Sequence, residues 1–283
     1  MSLSNGNQIH SEPNKESDPE ISILMAVYNG APFIGASIAA ALAQDHPNFE
    51  VVVLDDGSSD ETERICRTIN DPKFRYIRKE RRGFPNALNE GIFAAKGKYI
   101  AVNDADDLSL PHRLKYVLDF FKTHEDVALL ATAYTKVAAF RQTISEETRS
   151  PLEEQNGSPV WIHPARLYRG NPFVHSTLVF PKSVWKSAGK YDEKLSMCVD
   201  YDFALRAAEF GRIAWLPGQT VQWYTNPTSF FKKKSTQEYR NTLAFIKRRA
   251  RRLLNLPVWI RLYDMVPVYR RFLKRAKGIR ARA

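Results

Sequence analysis

Phe49-Glu50-Val51-Val52-Val53-Leu54-Asp55-Asp56-Gly57-Ser58-Ser59-Asp60 runs a near-continuous apolar segment straight into an acidic turn. Val51 to Leu54 shows no apolar–polar alternation. The segment therefore reads as a strand covered on both faces, as in a parallel sheet. Asp55 to Asp60 ends it and offers caps to a helix over Glu61–Ile69. Upstream, Ile21 to Val27 is a second buried strand, broken by Tyr28-Asn29-Gly30. Between the two, Phe33 to Gln44 carries Ile34, Ile38 and Leu42 at helical spacing. Downstream, Phe74 to Ile77 is a short strand and Asn86 to Ala95 a helix, which Gly97 would close as a left-handed cap. Lys98 to Asn103 is a further strand, and it runs into Asp104-Ala105-Asp106-Asp107. Strand–helix alternation with short loops predicts a wound α/β sheet. In such sheets ligands bind beyond the carboxyl ends of the strands. Tyr28-Asn29, Asp55-Asp56 and Asp104 to Asp107 all fall there, so three separate stretches converge on one rim.

Past Pro111 a helix is expected to about His124, then a strand over Val127–Ala133. Residues 141–160 are polar and broken by Pro and Gly, a long loop. His175–Phe180 reads as a strand and Asp200–Phe210 as a helix, with Ile213–Leu216 and Val221–Tyr224 as two more strands.

Charge is uneven along the chain. The 283 residues carry a formal charge of +11. From Phe231 onward, 17 Lys/Arg stand against 2 Asp/Glu, so residues 1–230 are slightly acidic. Basic attraction for an anionic partner is thus concentrated in the tail. There Tyr239, Leu243, Ile246, Ala250 and Leu253 fall at helical spacing among Lys247, Arg248, Arg249, Arg251 and Arg252. Trp259, Leu262, Tyr263 and Val266 repeat the pattern between Pro257 and Pro267. Such a segment fits a helix lying on an anionic membrane surface, or a helix packed on the main domain with a solvated basic face. No nucleic-acid motif accompanies the charge, so no nucleic-acid partner is expected. Two cysteines form neither a disulfide framework nor a zinc pattern. Residues 1–19 are polar and read as a disordered leader, and no apolar run reaches membrane-spanning length. A cytoplasmic location is expected, peripheral at the inner face of the membrane if the tail binds lipid.

Two carboxylates one residue apart at a strand end suit a divalent cation that bridges them to a diphosphate. Alone, such a triplet would more often cap the next helix. Beside the other two rim clusters, the cation reading is favoured.

The ordered set of motifs resembles glycosyltransferase family 2. The motifs are Ala26-Val27-Tyr28-Asn29-Gly30, Val53 to Asp60, Ala87-Leu88-Asn89-Glu90-Gly91-Ile92, and Asp104-Ala105-Asp106-Asp107 with Pro111 and Arg113-Leu114. Asn171 to Ser176, Gly189 to Glu193 and Val199 to Arg206 are similar to later family segments. The resemblance covers about residues 20–230. It implies a GT-A fold: a Rossmann-like wound mixed sheet flanked by helices, here with a basic helical extension over 231–283.

It also implies roles. Tyr28 would lie against the nucleotide base, and Asp56 would accept from a base N–H. Ala26, Asn29, Asn89, Asp104 and Ala105 would complete the nucleotide-sugar site, with Arg81 or Arg82 as alternatives to Asn89. Asp106, with Asp104, would hold Mn²⁺ or Mg²⁺. Asp200 would be the general base of an inverting transfer from a UDP- or dTDP-sugar to a glycan or lipid-linked acceptor. Asp202 is a rival base, although a salt bridge to Arg206 suits it better. Three departures from the family pattern stand out. Val199 replaces a usual Glu, Ala26 replaces a frequent Pro, and Asn226 lies near the place of a metal-approaching His. His175, Trp161 and His163 are further possible acceptor contacts.

Competing readings are disfavoured. A sugar nucleotidylyltransferase would want a Gly-rich basic loop after the first strand, and a dehydrogenase would want GxGxxG; Tyr28-Asn29-Gly30-Ala31-Pro32 is neither. A non-catalytic scaffold sits poorly with Asp56, Asp104, Asp106 and Asp200 together.

Overall fold

The computed structural model describes residues 18–140, 142–144, 157–227 and 235–254. Residues 1–17 of the expected leader and the tail beyond Leu254 lie outside them. The first half follows the sequence reading: β1 (Ile21–Val27), α1 (Ile34–Leu42), β2 (Phe49–Asp55), α2 (Thr62–Arg67), β3 (Phe74–Arg78), α3 (Phe84–Ala94) and β4 (Tyr99–Val102). Then come β5 (Leu108–Ser109), α4 (Arg113–Thr123), β6 (Val127–Val137), β7 (Val160–Trp161), α5 (Pro164–Arg169), β8 (Val179–Pro181), α6 (Lys182–Ser187), α7 (Val199–Ala207), β9 (Arg212–Tyr224) and α8 (Thr236–Leu253).

These strands form one nine-stranded sheet in the order β3-β2-β1-β4-β8-β6-β9-β5, with β7 also pairing β9. β1, β2, β3 and β4 run parallel, and β8 lies antiparallel between β4 and β6. β6 and β9 are parallel to each other and, through β8, run in the direction of β1. The carboxyl ends of β1, β2, β4, β6 and β9 therefore share one rim.

Alternate residues of the inner strands feed two cores. Ile21, Ile23, Met25 and Val27 pack with α1 and α4 on one face. Leu24 and Ala26 pack with α3, α6 and α7 on the other. Glu50 crosses the sheet edge: it accepts from Ser22 Oγ at 2.7 Å, Arg75 Nη1 at 2.8 Å and the Lys96 amide at 2.5 Å. That ties β1, β2, β3 and the end of α3 together.

Three expectations are corrected. Gly97 is not a helix cap; α3 ends at Ala94 and Ala95 is already extended. A Cβ on Gly97 would sit 2.5 Å from the Ser22 nitrogen, so close backbone approach demands the glycine. His175–Thr177 is a turn of 3-10 helix, and only Val179–Pro181 is strand. The two expected strands over 213–216 and 221–224 are one strand, β9, whose pairing to β6 shifts register around Pro217-Gly218. Of the two placements expected for the basic segment, its described part, α8, packs on the main domain. Ile246, 1% exposed, and Ala250 belong to the same apolar core as Phe203 and Trp185. Arg249 reaches Asp192 Oδ2 at 2.6 Å and Asp202 Oδ1 at 2.9 Å. No helix among the described residues is long and apolar enough to cross a membrane.

Candidate active site

The rim is assembled by loops that tie to one another. After β1, Asn29 takes a left-handed backbone (φ 53°), which Asn tolerates better than most residues. Its Oδ1 accepts from the Ser59 amide at 2.8 Å, and its own N–H donates to Ser58 Oγ at 2.9 Å. The Gly30 amide donates to Thr62 Oγ1. The β1 and β2 loops are therefore one unit. Asp55, fully buried, braces it by accepting from the Ser58 amide and from Tyr76 Oη at 2.6 Å. Burial and this bond to Asp55 raise the Tyr76 phenol. Asp56 accepts from the Arg82 and Gly83 amides at 2.7 and 2.9 Å, drawing the β3–α3 loop onto the rim. Tyr28 is 40% exposed, and the Arg81 guanidinium lies 3.7 Å over its ring and bonds its hydroxyl. Ala26 is buried in the core below, and the Ala105 carbonyl accepts from Ser37 Oγ.

After β4 the acidic stretch splits by environment. Asp107 is buried: it accepts from Ser176 Oγ and from the Tyr224 amide at 2.8 Å. Asp104 is part-exposed, with its amide donating to Ser176 Oγ and its Oδ1 3.2 Å from His175 Nδ1. Asp106 Oδ2 accepts from Asn226 Nδ2 at 3.0 Å. Burial, then the nearby Asp104 charge, raises the Asp106 carboxyl; burial, Asp104 and Asp106 push Asp107 well up. Beneath them Arg113, fully buried, donates to Val102 O, Asn103 Oδ1 and Ser109 Oγ. Burial pulls its guanidinium down to about 9, opposed by Asp107 and Asp104, so it stays cationic at neutral pH. Three crowded carboxylates around one such cation leave negative charge that a divalent ion would balance. Their oxygens are the hard donors that Mg²⁺ or Mn²⁺ prefers. The described residues contain no group of three or more His, Cys, Asp or Glu side chains able to hold a metal by themselves.

His175 bridges to the second half of the site. Its Nε2 lies 3.1 Å from Tyr191 Oη. Burial would lower its imidazole, but the Asp104 carboxylate overrides this and raises it, with a further contribution from Asp200. Burial, then Asp200 and Asp104, likewise lifts the Tyr191 phenol. Asp104 and Asp200 thus act on the same pair of side chains from the rim and from the first turn of α7. Asp200 Oδ2 accepts from Asn171 Nδ2 at 2.7 Å. A cavity of about 230 Å³ opens beside it, lined by Asn171, Tyr239 and Lys247 among others.

Several residues fall elsewhere than expected. Asn89 is buried, and its amide is saturated: Nδ2 donates to Tyr191 O and Glu193 Oε1, and Oδ1 accepts from Trp185 Nε1 and the Tyr191 amide. It positions the Tyr191 segment and has no polar capacity left for a nucleotide. Asp202 is also buried, held by Arg206 and Arg249, which fits the ion-pair reading over the base. Trp161 pairs opposite Ala214 in the first half of β9, far from the rim, and His163 caps α5 by accepting from the Ala165 amide. Sequence reading left unassigned Ser176, Tyr191 and Asn171; each lies in a family-like segment, but their mutual contacts depend on tertiary pairing.

The profile of glycosyl transferase family 2 matches residues 22–173, more than half of the chain. The chain belongs to glycosyl transferase family 2. Among family relatives, an uncharacterised glycosyltransferase of Rickettsia typhi is 30% identical over 196 residues, covering 65% of this chain and 57% of that protein. The chain therefore spans little more than half the length of that relative. A Bacillus subtilis protein, EpsE, whose glycosyltransferase name is provisional, is 27% identical over 266 residues, covering 92% of each. In fold, S. aureus TarS 1–349 in complex with UDP-GlcNAc superposes with a TM-score of 0.65 at 19% identity, covering 80% of this chain and 66% of that one. The mannosyltransferase PcManGT of Pyrobaculum calidifontis, in complex with GDP-Man and Mn²⁺, gives 0.58 at 16% identity, covering 92% and 82%. These likenesses show the GT-A architecture of this family 2 chain.

Proposed function

We propose that the chain transfers a sugar, with inversion, from a nucleotide-diphosphate sugar to a hydroxyl of a glycan or lipid-linked acceptor during surface-polysaccharide synthesis. What supports this reading is the run of contacts from Asp104 Oδ1 through His175 to Tyr191 Oη, with Asp200 in the first turn of α7. On this reading Asp104 belongs to the donor end and Asp200 to the base end. Tyr28 would stack on the base and Asp56 would read its N–H, with Asn29, Ala26 and Ala105 shaping the loop backbone around the nucleotide. Asp104 and Asp106 would hold Mn²⁺ or Mg²⁺, which supplies positive charge to the departing diphosphate. Asn171 fixes Asp200 through Oδ2. Oδ1 then takes the acceptor proton as the acceptor oxygen bonds the anomeric carbon and the bond to the diphosphate breaks. The nucleotide-sugar ligands of TarS and PcManGT support a donor of this class, and UDP- or dTDP-sugars are preferred here.

A thermal-shift screen of UDP-, dTDP- and GDP-sugars with and without Mn²⁺ tests the reading. One donor should stabilise the protein only with metal, and Asp106→Asn should abolish that shift. Asp200→Asn should keep the shift and lose transfer. A donor panel that never shifts the protein, or full transfer by Asp200→Asn, overturns it.

A membrane-surface location is proposed as well, because Phe245 and Leu253 stand exposed on α8 beside Arg248 and Arg252. Apolar side chains among cations suit an anionic interface. Sedimentation with phosphatidylglycerol vesicles should fall in Phe245→Ser; equal sedimentation of both proteins removes this part of the proposal.

A further inference from the structure

The Asp104 side chain is 32% exposed. The terminal torsion of an Asp is broad, so an exposed carboxylate swings between orientations unless a partner holds it. His175, in the 3-10 turn that precedes β8, is that partner: its Nδ1 stands 3.2 Å from Asp104 Oδ1. An ionised carboxylate only accepts, so Nδ1 carries the proton in either charge state of the ring. The next residue grips the same loop, because Ser176 Oγ accepts from the Asp104 amide and donates to Asp107. The imidazole is itself fixed. It is buried, and the Phe84 and Tyr191 rings each meet it edge to face at 5.8 Å. Tyr191 Oη lies 3.1 Å from its Nε2, and the Tyr191 ring packs in turn on Phe203 of α7 at 4.8 Å. A ring bonded at both nitrogens cannot flip without breaking both bonds.

We propose that His175 is a positioning residue for the divalent cation: it holds Asp104 Oδ1 so that Oδ2 faces the ion, and Tyr191 holds the imidazole in the orientation that does so. This rests on Asp104 serving the cation in the transfer. Both ring nitrogens are engaged, so His175 acts through Asp104 and not as a ligand. The weight of such a device depends on how few protein donors the ion has. Among the described residues, no three His, Cys, Asp or Glu side chains come together to hold a metal. Asp104 and Asp106 then carry the protein's share, and the direction of each carboxylate decides much of the affinity. Asp106 is held in the same manner, by Asn226 Nδ2 on its Oδ2 at 3.0 Å. Hydrogen-bonded partners behind metal-binding side chains are worth about 10- to 100-fold in metal affinity. A ring kept only to fill the space beside Phe84 and Tyr191 would serve as well without a nitrogen at either end.

The test titrates Mn²⁺ into the full-length protein with UDP, dTDP or GDP present and reads the free cation by electron paramagnetic resonance. His175→Leu removes both nitrogens and should weaken nucleotide-dependent Mn²⁺ binding about 10- to 100-fold. His175→Asn puts an amide N–H back near the place of Nδ1 and should recover most of that loss. Tyr191→Phe keeps the ring and deletes only the hydroxyl, so it should weaken binding severalfold, less than His175→Leu. Melting curves without cation and nucleotide record what each substitution does to the fold itself. Should His175→Leu not fold, His175→Gln takes its place, since its longer chain reaches toward Tyr191 and past Asp104. Unchanged Mn²⁺ affinity in His175→Leu overturns the proposal. So does His175→Asn binding no better than His175→Leu, or affinities that follow the melting temperatures and not the restored N–H. If the unaltered protein takes up no Mn²⁺ with any of the three nucleotides, the cation reading of Asp104 falls first; normal uptake with unaffected variants removes the positioning role alone.

Discussion

Replacing Ile246 by Ala tests whether α8 is a working part of the domain. Ile246 is 1% exposed and sits in the core shared with α7. Substituting a buried Ile by Ala costs about 2–5 kcal/mol, from lost burial plus the void left behind. Only Ile246 and Ala250 of α8 are buried. The helix lies at the edge of that core, so relaxation is easy and about 3 kcal/mol is the better figure. The loss falls on docking of α8, because β1 and β2 keep their own contacts. About 3 kcal/mol changes the docked-to-undocked ratio by roughly 150-fold. Amide hydrogen exchange read by mass spectrometry should show residues 241–254 exchanging about two orders of magnitude faster, with β1 and β2 unchanged. Since Tyr239, Leu243 and Lys247 line the Asp200 cavity, transfer should fall while the donor-induced shift persists. Unchanged exchange in α8, or equal acceleration across the whole sheet, refutes this account of the helix.

Glu50 gives a pH test. Burial would raise its carboxyl, but bonds from the Lys96 amide, Arg75 and Ser22 win and lower it. A depressed folded-state value adds stability that is complete above the unfolded value near 4.5 and lost as pH falls through the folded one. Glu50→Gln should thus lower the melting temperature at pH 7 and flatten its decline below pH 5; an unchanged acid limb contradicts it. Gly97→Ala should cost at least about 2 kcal/mol in urea unfolding, because its Cβ meets Ser22 backbone at 2.5 Å rather than a movable side chain. Asn89→Leu should destabilise by about 3 kcal/mol by stranding Trp185 Nε1 and the Tyr191 amide, with donor affinity in the surviving folded protein unaltered. Tyr28→Ala should weaken donor binding about tenfold by titration and leave the melting temperature of the free protein unchanged, since the ring is half exposed.

Much of the first half was legible because its signals are local. Unalternating apolar runs marked β1, β2 and β4, and the polar breaks after them marked the rim. Asp202 with Arg206 was legible from the four-residue spacing alone. Asn226 stands by resemblance near the place of a family His, and in the fold it donates to Asp106. What was not legible depends on partners distant in sequence. Asn89 looks like a ligand-binding amide until Trp185 and Tyr191 arrive to saturate it. Gly97 follows a helix, so it resembles a cap, and only the passing β1 backbone reveals the steric demand. The Pro217-Gly218 pair signals a turn, yet a register shift against β6 absorbs it within one strand. In α8 the charge pattern is the same for a lipid-facing helix as for one docked by Ile246.

The antiparallel insertion of β8 between β4 and β6 constrains the order in which the molecule is finished. As the chain emerges from the ribosome, β1 to β4 find one another within the first 102 residues. The free edge of β4 then waits for Val179–Pro181. Until β8 arrives, that edge presents unpaired amides and carbonyls able to recruit another chain. The rim stays unfinished longer still, since the Tyr224 amide that braces Asp107 comes with β9, the last strand among the described residues. A nascent chain shorter than about four fifths of its length therefore holds the loops after β1 and β2 but lacks a finished acidic end, and translation arrested in that interval would leave a sticky intermediate.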